Sequence, residues 1–149
     1  MSLPTKKFKR PESVLVVVYA LTGKVLLIRR ADDPDFWQSV TGSLLWEETE
    51  PRQAAIRELR EETGLEAKDL QDAGVTNRYT ILPQWRHRYA PGVVQNTEYE
   101  FRCRLPGVQA VSIDAREHSA YRWLDVDRAI EAVWSWTNRE ALERLREEL

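Results

Sequence analysis

The most constraining stretch of the chain is the apolar run of residues 14–21, eight residues dominated by valine. It is too short to span a bilayer, and it lacks the small-residue cleavage site of a leader despite Lys6, Lys7, Lys9 and Arg10 ahead of it. It therefore reads as a buried strand. The turn Leu21-Thr22-Gly23 leads straight into a second apolar run at 24–28, so two turn-linked strands are expected.

Further strands are predicted at 36–40, 75–82, 85–89, 97–104 and 121–124, separated by Pro- and Gly-containing breaks. Pro51 suits a first helical turn. Ala54, Ala55, Ile56, Leu59 and Thr63 then form an apolar stripe that Gly64 stops. Asp125 is expected to cap a short helix to Val133, and Thr137-Asn138 to open a last helix over 139–149. Strands, a helix, more strands and then helices indicate an α+β fold, a mixed sheet flanked by helices. A chain of 149 residues with 42% hydrophobic residues and no linker or repeat is expected to form one domain over 1–149.

Charge narrows the function. The net charge of −2 argues against a protein that coats nucleic acid or an anionic membrane by bulk charge. Its distribution is uneven: residues 47–66 carry seven acids and three arginines, a local −4 that leaves +2 for the remainder. Residues 73–97 contain no acid but include Arg78, Arg86, His87 and Arg88, and residues 1–11 are likewise basic. Positive walls around an acidic floor suit a polyphosphate. As a strand, 85–89 would turn Arg86 and Arg88 to one face and His87 to the other, which a solvated strand would also do. The single Cys103 cannot form an internal disulfide, and a reducing cytoplasm is expected.

Within the helix, Glu58, Glu61 and Glu62 stand at i, i+3, i+4, so three carboxylates share one face. Read from spacing alone, this is either a solvated face laced to Arg57 and Arg60 or a site for hard divalent cations, Mg²⁺ or Mn²⁺.

The surrounding residues resolve that choice. Gly42, five residues, Glu48, then Arg57-Glu58-Leu59-Arg60-Glu61-Glu62-Thr63-Gly64-Leu65 resembles the Nudix box over 42–65, G-x5-E-x7-R-E-U-x-E-E-x-G-U, with every fixed residue type present. Eight residues rather than seven separate Glu48 from Arg57, with the extra residue most simply around Pro51-Arg52, and an insertion there can swing Glu48 away from the metals. Many relatives carry Pro-Gly-Gly where this chain has Thr41-Gly42-Ser43.

The resemblance implies the Nudix α/β/α sandwich and metal-dependent hydrolysis of a diphosphate linked to another moiety. Glu58 and Glu62 are implied metal ligands, Glu61 a supporting or further ligand, Arg57 the residue orienting the carboxylates, and Glu117 a further ligand or the base. Outside the box, segments including Arg86-His87-Arg88-Tyr89, Asn96-Thr97-Glu98 and Ser135-Trp136-Thr137-Asn138 resemble the bacterial branch of the family that acts on a pterin triphosphate. That branch implies conversion of dihydroneopterin triphosphate to its monophosphate and pyrophosphate in folate biosynthesis, with dATP or a damaged nucleoside triphosphate as the alternative substrate. It also makes Lys9, Arg30, Thr41, Tyr79, Leu82, Arg88 and Ser135 candidate substrate contacts. His118 is expected to be structural, Trp37 and Trp123 to lie in the core, and Trp134 or Trp136 to border a ring pocket.

Overall fold

The valine-rich run becomes β1 (Glu12–Ala20), the middle of a seven-stranded mixed sheet. The computed structural model describes residues 8–149; Lys6 and Lys7 of the basic stretch lie outside the described residues. One edge of β1 pairs in parallel with β6 (Gln95–Leu105) along its whole length, from Glu12↔Thr97 to Ala20↔Leu105. The other edge is divided. Ser13 to Val16 face β4 (Val40–Ser43), while Tyr19 pairs with Val25 of β2 (Lys24–Arg30). The β1–β2 turn uses Gly23 at φ 93, a left-handed conformation that glycine adopts without strain. β3 (Trp37–Gln38) and β7 (His118–Asp125) flank β2, and β5 (Leu70–Thr80) closes the sheet beyond β6.

Side chains of β1 alternate between two cores, which is why the run is apolar throughout instead of every second residue. Val14, Val16 and Val18 pack under α1 (Pro51–Thr63) with Ala54, Ala55 and Leu59. Leu15 and Val17 pack under α2 (Val126–Ala132) and α3 (Trp136–Glu148) with Ala129, Ala141, Leu142 and Leu145. Each fully buried aliphatic side chain contributes ~1.5–3 kcal/mol, so the sheet is held from both sides. The observed order is helix, sheet, helices, as expected.

Helix α1 presents the box glutamates, and its ends are firmly set. Gln53 Oε1 accepts from the backbone N–H groups of Thr49 and Glu50 at 2.8 and 2.9 Å. At the other end Gly64, at φ 75, donates its N–H to Arg60 C=O at 2.8 Å.

Several expected boundaries are corrected. Residues 85–89 are not a strand: a 3-10 segment runs over Pro83–Arg88, with Trp85 N–H bonded back to Leu82 C=O and Tyr89 N–H to Arg86 C=O. The strand-face assignment of Arg86, His87 and Arg88 therefore does not hold. β5 begins at Leu70 rather than 75, because an irregularity between Asp72 and Thr76, with Gly74 at φ 72, hides its first half from a periodicity reading. The 36–40 strand splits into β3 and the start of β4. Asp125 stands at the N-cap of α2, but its side chain does not cap and instead pairs with Lys24 at 3.0 Å. The last helix starts at Trp136, with Ser135 as its cap. Among the described residues, no helix is long and apolar enough to cross a membrane.

Candidate active site

At the end of the sheet where β1 and β6 begin, a cleft of about 1030 Å³ opens between the two helical layers. It falls within the range of small-molecule sites, at the large end. The box enters it through α1. Glu62 is buried with 4% exposure, and Glu58 lies beside it, close enough for the two carboxyl groups to couple. Desolvation raises both, and Glu62, deeper and facing the Glu58 charge, is pushed well above the usual carboxylate range. Thr41 N–H donates weakly to Glu62 Oε1 at 3.4 Å. His118 Nε2 stands 3.9 Å from the same oxygen, with its pKa lowered chiefly by burial, so it brings no full positive charge.

Gly42 explains how Glu58 fits. A Cβ at that position would meet Glu58 Cδ at 2.1 Å, so β4 can pass the carboxylate only as glycine. Arg57 fixes the outer side of the cluster. Its guanidinium donates to Glu48 Oε2 and Oε1 at 3.1 and 3.0 Å, to Glu58 Oε1 at 2.7 Å, to Glu61 Oε2 at 3.2 Å and to Ser43 C=O at 2.9 Å. Desolvation opposes the charge, but these carboxylates outweigh it and raise the Arg57 pKa.

The inserted residue does not swing Glu48 away from Arg57, although Glu48 is absent from the cleft wall. Pro51 and Arg52 belong to the first turn of α1, so the slack sits in the 44–50 loop ahead of them. Arg10 clamps this loop through the carbonyls of Leu45 and Glu48 at 3.0 and 2.7 Å, and Trp46 Nε1 donates to Phe8 C=O at 2.7 Å.

Of the expected metal residues, Glu58, Glu62 and Glu117 line the cleft. Glu61 does not; its side chain is 55% exposed and touches Arg57 from outside. Glu117 comes from the loop before β7, and its C=O accepts from Ala31 N–H at 2.8 Å. All seven expected substrate contacts, Lys9, Arg30, Thr41, Tyr79, Leu82, Arg88 and Ser135, also line the cleft.

Lys9 N–H is bonded to Arg88 C=O at 2.8 Å, which brings two cationic residues to one rim. Although Lys9 retains accessible surface, desolvation and then repulsion from Arg88 lower its pKa, partly offset by Glu58. Arg30 is forked onto Asp32 at 2.8 and 2.7 Å and lies 4.9 Å over the Trp85 ring. The remaining expected cations stand apart. Arg86 turns back to Ile81 C=O at 3.1 Å, and Arg78, Arg86 and His87 are absent from the cleft wall, so only Arg88 of that acid-free segment contributes there.

The opposite wall is aromatic. Trp85 and Trp134 line it and meet edge-on at 5.6 Å, and Phe36, outside the lining, backs them, stacked on Trp134 at 4.7 Å with an interplanar angle of 12° and edge-on to Trp85. Trp134 and Trp136 both border the cleft. Trp123 packs against the α1-side core; Trp37 packs against the other core but is half-buried, between Arg29 and Arg122.

Beneath lies a polar floor to which sequence reasoning gave no role, although Asn96, Glu98, Thr137 and Asn138 stood in segments that carried the resemblance. Ser13, Gln38, Asn96, Glu98, Thr137 and Asn138 are buried and line the cleft. Asn96 Nδ2 donates to Ser13 Oγ at 2.8 Å and Tyr79 Oη at 3.0 Å. Asn138 bonds both N–H and Oγ of Ser39 at 2.8 and 3.0 Å, while Ser135 Oγ accepts from Asn138 N–H at 3.0 Å. Burial pushes the Glu98 carboxyl up to about 7, against a hydrogen bond from Thr137 and with Glu100 adding to the rise. Burial, then Glu98, likewise raises the Tyr79 phenol. The available signal was Asn96 and Glu98 at i, i+2 on one face of a strand, a pattern that ordinarily means exposure.

The profile of the NUDIX domain matches residues 9–145, and the chain belongs to that family. Nudix hydrolases act on small nucleotide-like compounds and generally use divalent metals such as Mg²⁺. The chain is 48% identical over 144 residues to dihydroneopterin triphosphate diphosphatase of Escherichia coli (strain K12), covering 93% of this chain and 94% of the relative. It is 37% identical over 143 residues to the protein of the same name from Haemophilus influenzae, covering 93% and 89%. A solved structure of the E. coli dihydroneopterin triphosphate pyrophosphohydrolase superposes with a TM-score of 0.86 at 46% identity, over 92% of this chain and 95% of that one.

Proposed function

We propose that this chain hydrolyses dihydroneopterin triphosphate to the monophosphate and pyrophosphate, in the cytoplasm and as a step of folate biosynthesis. The observation that carries this reading is the composition of the large cleft, which joins the Glu58–Glu62 carboxyl pair and a cationic rim to an aromatic wall over a polar floor. The kinship with enzymes of that name supports it.

Among the described residues no three His, Cys, Asp or Glu side chains converge as a ready-made metal cage. Two adjacent carboxyl groups on one cleft wall nevertheless fit a hard divalent ion, because Mg²⁺ typically takes one or two carboxylates and completes its shell with phosphate oxygens and water. Glu58 and Glu62 would hold Mg²⁺, or Mn²⁺ in its place, with Glu117 joining from across the cleft. When bound, the ion supplies charge neutralisation at the phosphoryl oxygens and lowers the pKa of water.

The chain's own groups do the rest. Arg57 orients Glu58, and Glu61 backs Arg57 from outside. Thr41 N–H steadies Glu62. Lys9, Arg30 and Arg88 bind phosphate oxygens, while Thr41, Tyr79, Leu82 and Ser135 shape the walls around the substrate. Glu117 takes the proton of the attacking water, the α–β anhydride bond breaks, and the departing pyrophosphate carries the negative charge.

Steady-state kinetics with Mg²⁺ test the assignment by comparing kcat/KM for dihydroneopterin triphosphate and dATP and identifying the phosphate product. Higher efficiency on the pterin with pyrophosphate released is expected. Equal or greater efficiency on dATP would turn the reading to a nucleotide pyrophosphohydrolase.

A further inference from the structure

The loop that leads into α1 buries little apolar surface in its outer turn: Leu45 and Trp46 are each 42% exposed, and Glu47 is exposed beside them. Polar contacts shape this turn instead. Glu48 N–H bonds back to Leu45 C=O at 3.0 Å, and Leu45 N–H donates to Glu48 Oε1 at 2.6 Å, so backbone and side chain both close it. Arg10 meets the turn from outside the box. Its Nη1 donates to Leu45 C=O at 3.0 Å and to Glu48 C=O at 2.7 Å, and one nitrogen thereby spans both ends.

Arg10 is itself braced. Its Nε donates to Glu12 Oε1 at 2.8 Å, while Glu12 Oε2 accepts from the Tyr99 hydroxyl of β6 at 2.6 Å. The Tyr99 bond, and then the Arg10 bond working against desolvation, hold the Glu12 carboxyl below the usual carboxylate range, so the Arg10–Glu12 contact is a charged one. The backbone on either side is pinned as well. Lys9 N–H donates to Arg88 C=O at 2.8 Å, Pro11 C=O accepts from Thr97 N–H at 3.1 Å, and Glu12 C=O accepts from Leu44 N–H at 2.9 Å. Inward from the turn, the Glu48 carboxylate takes the fork of Arg57, whose Nη1 holds Glu58 Oε1 at 2.7 Å.

We infer that Arg10 is a positioning residue for the metal site: by spanning the Leu45–Glu48 turn it sets Glu48, Glu48 sets Arg57, and Arg57 orients the Glu58 carboxylate. This rests on the reading of Glu58 and Glu62 as metal ligands. It also gives a physical reason why the extra residue ahead of α1 leaves the Glu48–Arg57 pair intact, since a brace from outside the box takes up the slack. A bare positive charge at the same rim would act in the opposite sense, because it repels a divalent cation. The two roles therefore predict opposite signs when the side chain is removed.

The test is the affinity of the metal-free protein for Mn²⁺, read by isothermal titration calorimetry. Residues that orient metal ligands from behind are worth about 10- to 100-fold in affinity. Arg10→Ala, acting through two intermediates, is expected to weaken Mn²⁺ binding roughly tenfold, at the low end of that range. Arg10→Lys keeps the charge, but a single ammonium cannot hold both carbonyls and Glu12 as the planar fork does, so a loss of about the same size is expected. In Glu48→Ala the link to Arg57 is already cut. Adding Arg10→Ala to that variant should cost less than about twofold more.

Tighter Mn²⁺ binding in Arg10→Ala would reduce the residue to a rim charge and overturn the inference. Wild-type affinity in Arg10→Lys, the variant that least disturbs folding, would overturn it too, as would full additivity in the double variant. A wild-type protein with no affinity for Mn²⁺ would instead sink the reading of the box as a metal site, and the positioning role with it.

Discussion

Gly42 stands so close to Glu58 that a β-carbon on the glycine would fall 2.1 Å from the carboxyl carbon of the glutamate. The side chain that approaches is only 12% exposed and accepts from Arg57 at 2.7 Å, so it cannot swing aside freely. The glycine at the head of the box is therefore a matter of volume; its φ is not in the left-handed region. Gly42→Ala should displace the carboxylate by an ångström or so, and misplacement of that size lowers kcat by about 100-fold. Far-ultraviolet circular dichroism is expected to stay unchanged, and a variant with normal turnover would show that Glu58 has no need of its present position.

The two inner glutamates differ from the third in burial, and that difference predicts a ranking. Glu62→Gln keeps size and hydrogen-bonding capacity but removes the charge of the most buried box carboxyl. It should fold normally and lose roughly two or more orders of magnitude in kcat. Glu61→Gln alters an exposed partner of Arg57 and should lose less than about tenfold. Isothermal titration with Mn²⁺ should show the same order in metal affinity. Similar losses in both variants would place Glu61 among the ligands.

Much of this site was legible because its signals are local. The helix that carries Glu58 and Glu62 has a 3.6-residue apolar stripe between a proline and a glycine, and both boundaries survive in the structure. The doubly buried β1 was equally plain, since only a strand covered on both faces is apolar throughout. The Pro83–Arg88 segment was misread because Trp85 to Tyr89 alternates like a strand, whereas its hydrogen bonds close locally through Leu82 and Arg86 carbonyls. Asn96 and Glu98, named only within a resembling segment, were given no role for a different reason. Polar residues alternating along a strand signify solvent until another element covers them, and Thr137 of α3 lies some forty residues further on. Local periodicity cannot report a lid made by distant sequence.

Arg57 makes contacts that a point charge cannot reproduce. Its fork spans Glu48, Glu58 and Ser43 C=O together, which depends on the planar guanidinium. Arg57→Lys retains the positive charge but leaves some of these acceptors short of a donor. A loss of about 2 kcal/mol in urea-induced unfolding is expected, with kcat reduced by about 10- to 100-fold as Glu58 loses its orientation. Wild-type values for both quantities would show that charge alone suffices at this position.

Glu98 also makes stability depend on pH. Its folded carboxyl titrates at about 7, against an ordinary value of 4.5. Between those values the folded chain retains a proton that the unfolded chain has released. The stabilisation is thus fully present below pH 4.5 and is lost as pH rises through 7. The size is about 3 kcal/mol for a shift of this order. Glu98→Gln has no proton to release, so it should match the wild type near pH 4.5 and become progressively more stable than it towards pH 8. Urea unfolding of both metal-free proteins at pH 5 and pH 8 checks this. A stability difference that stays constant between the two pH values would mean that Glu98 is ionised throughout, and that the polar floor solvates its charge more fully than its burial implies.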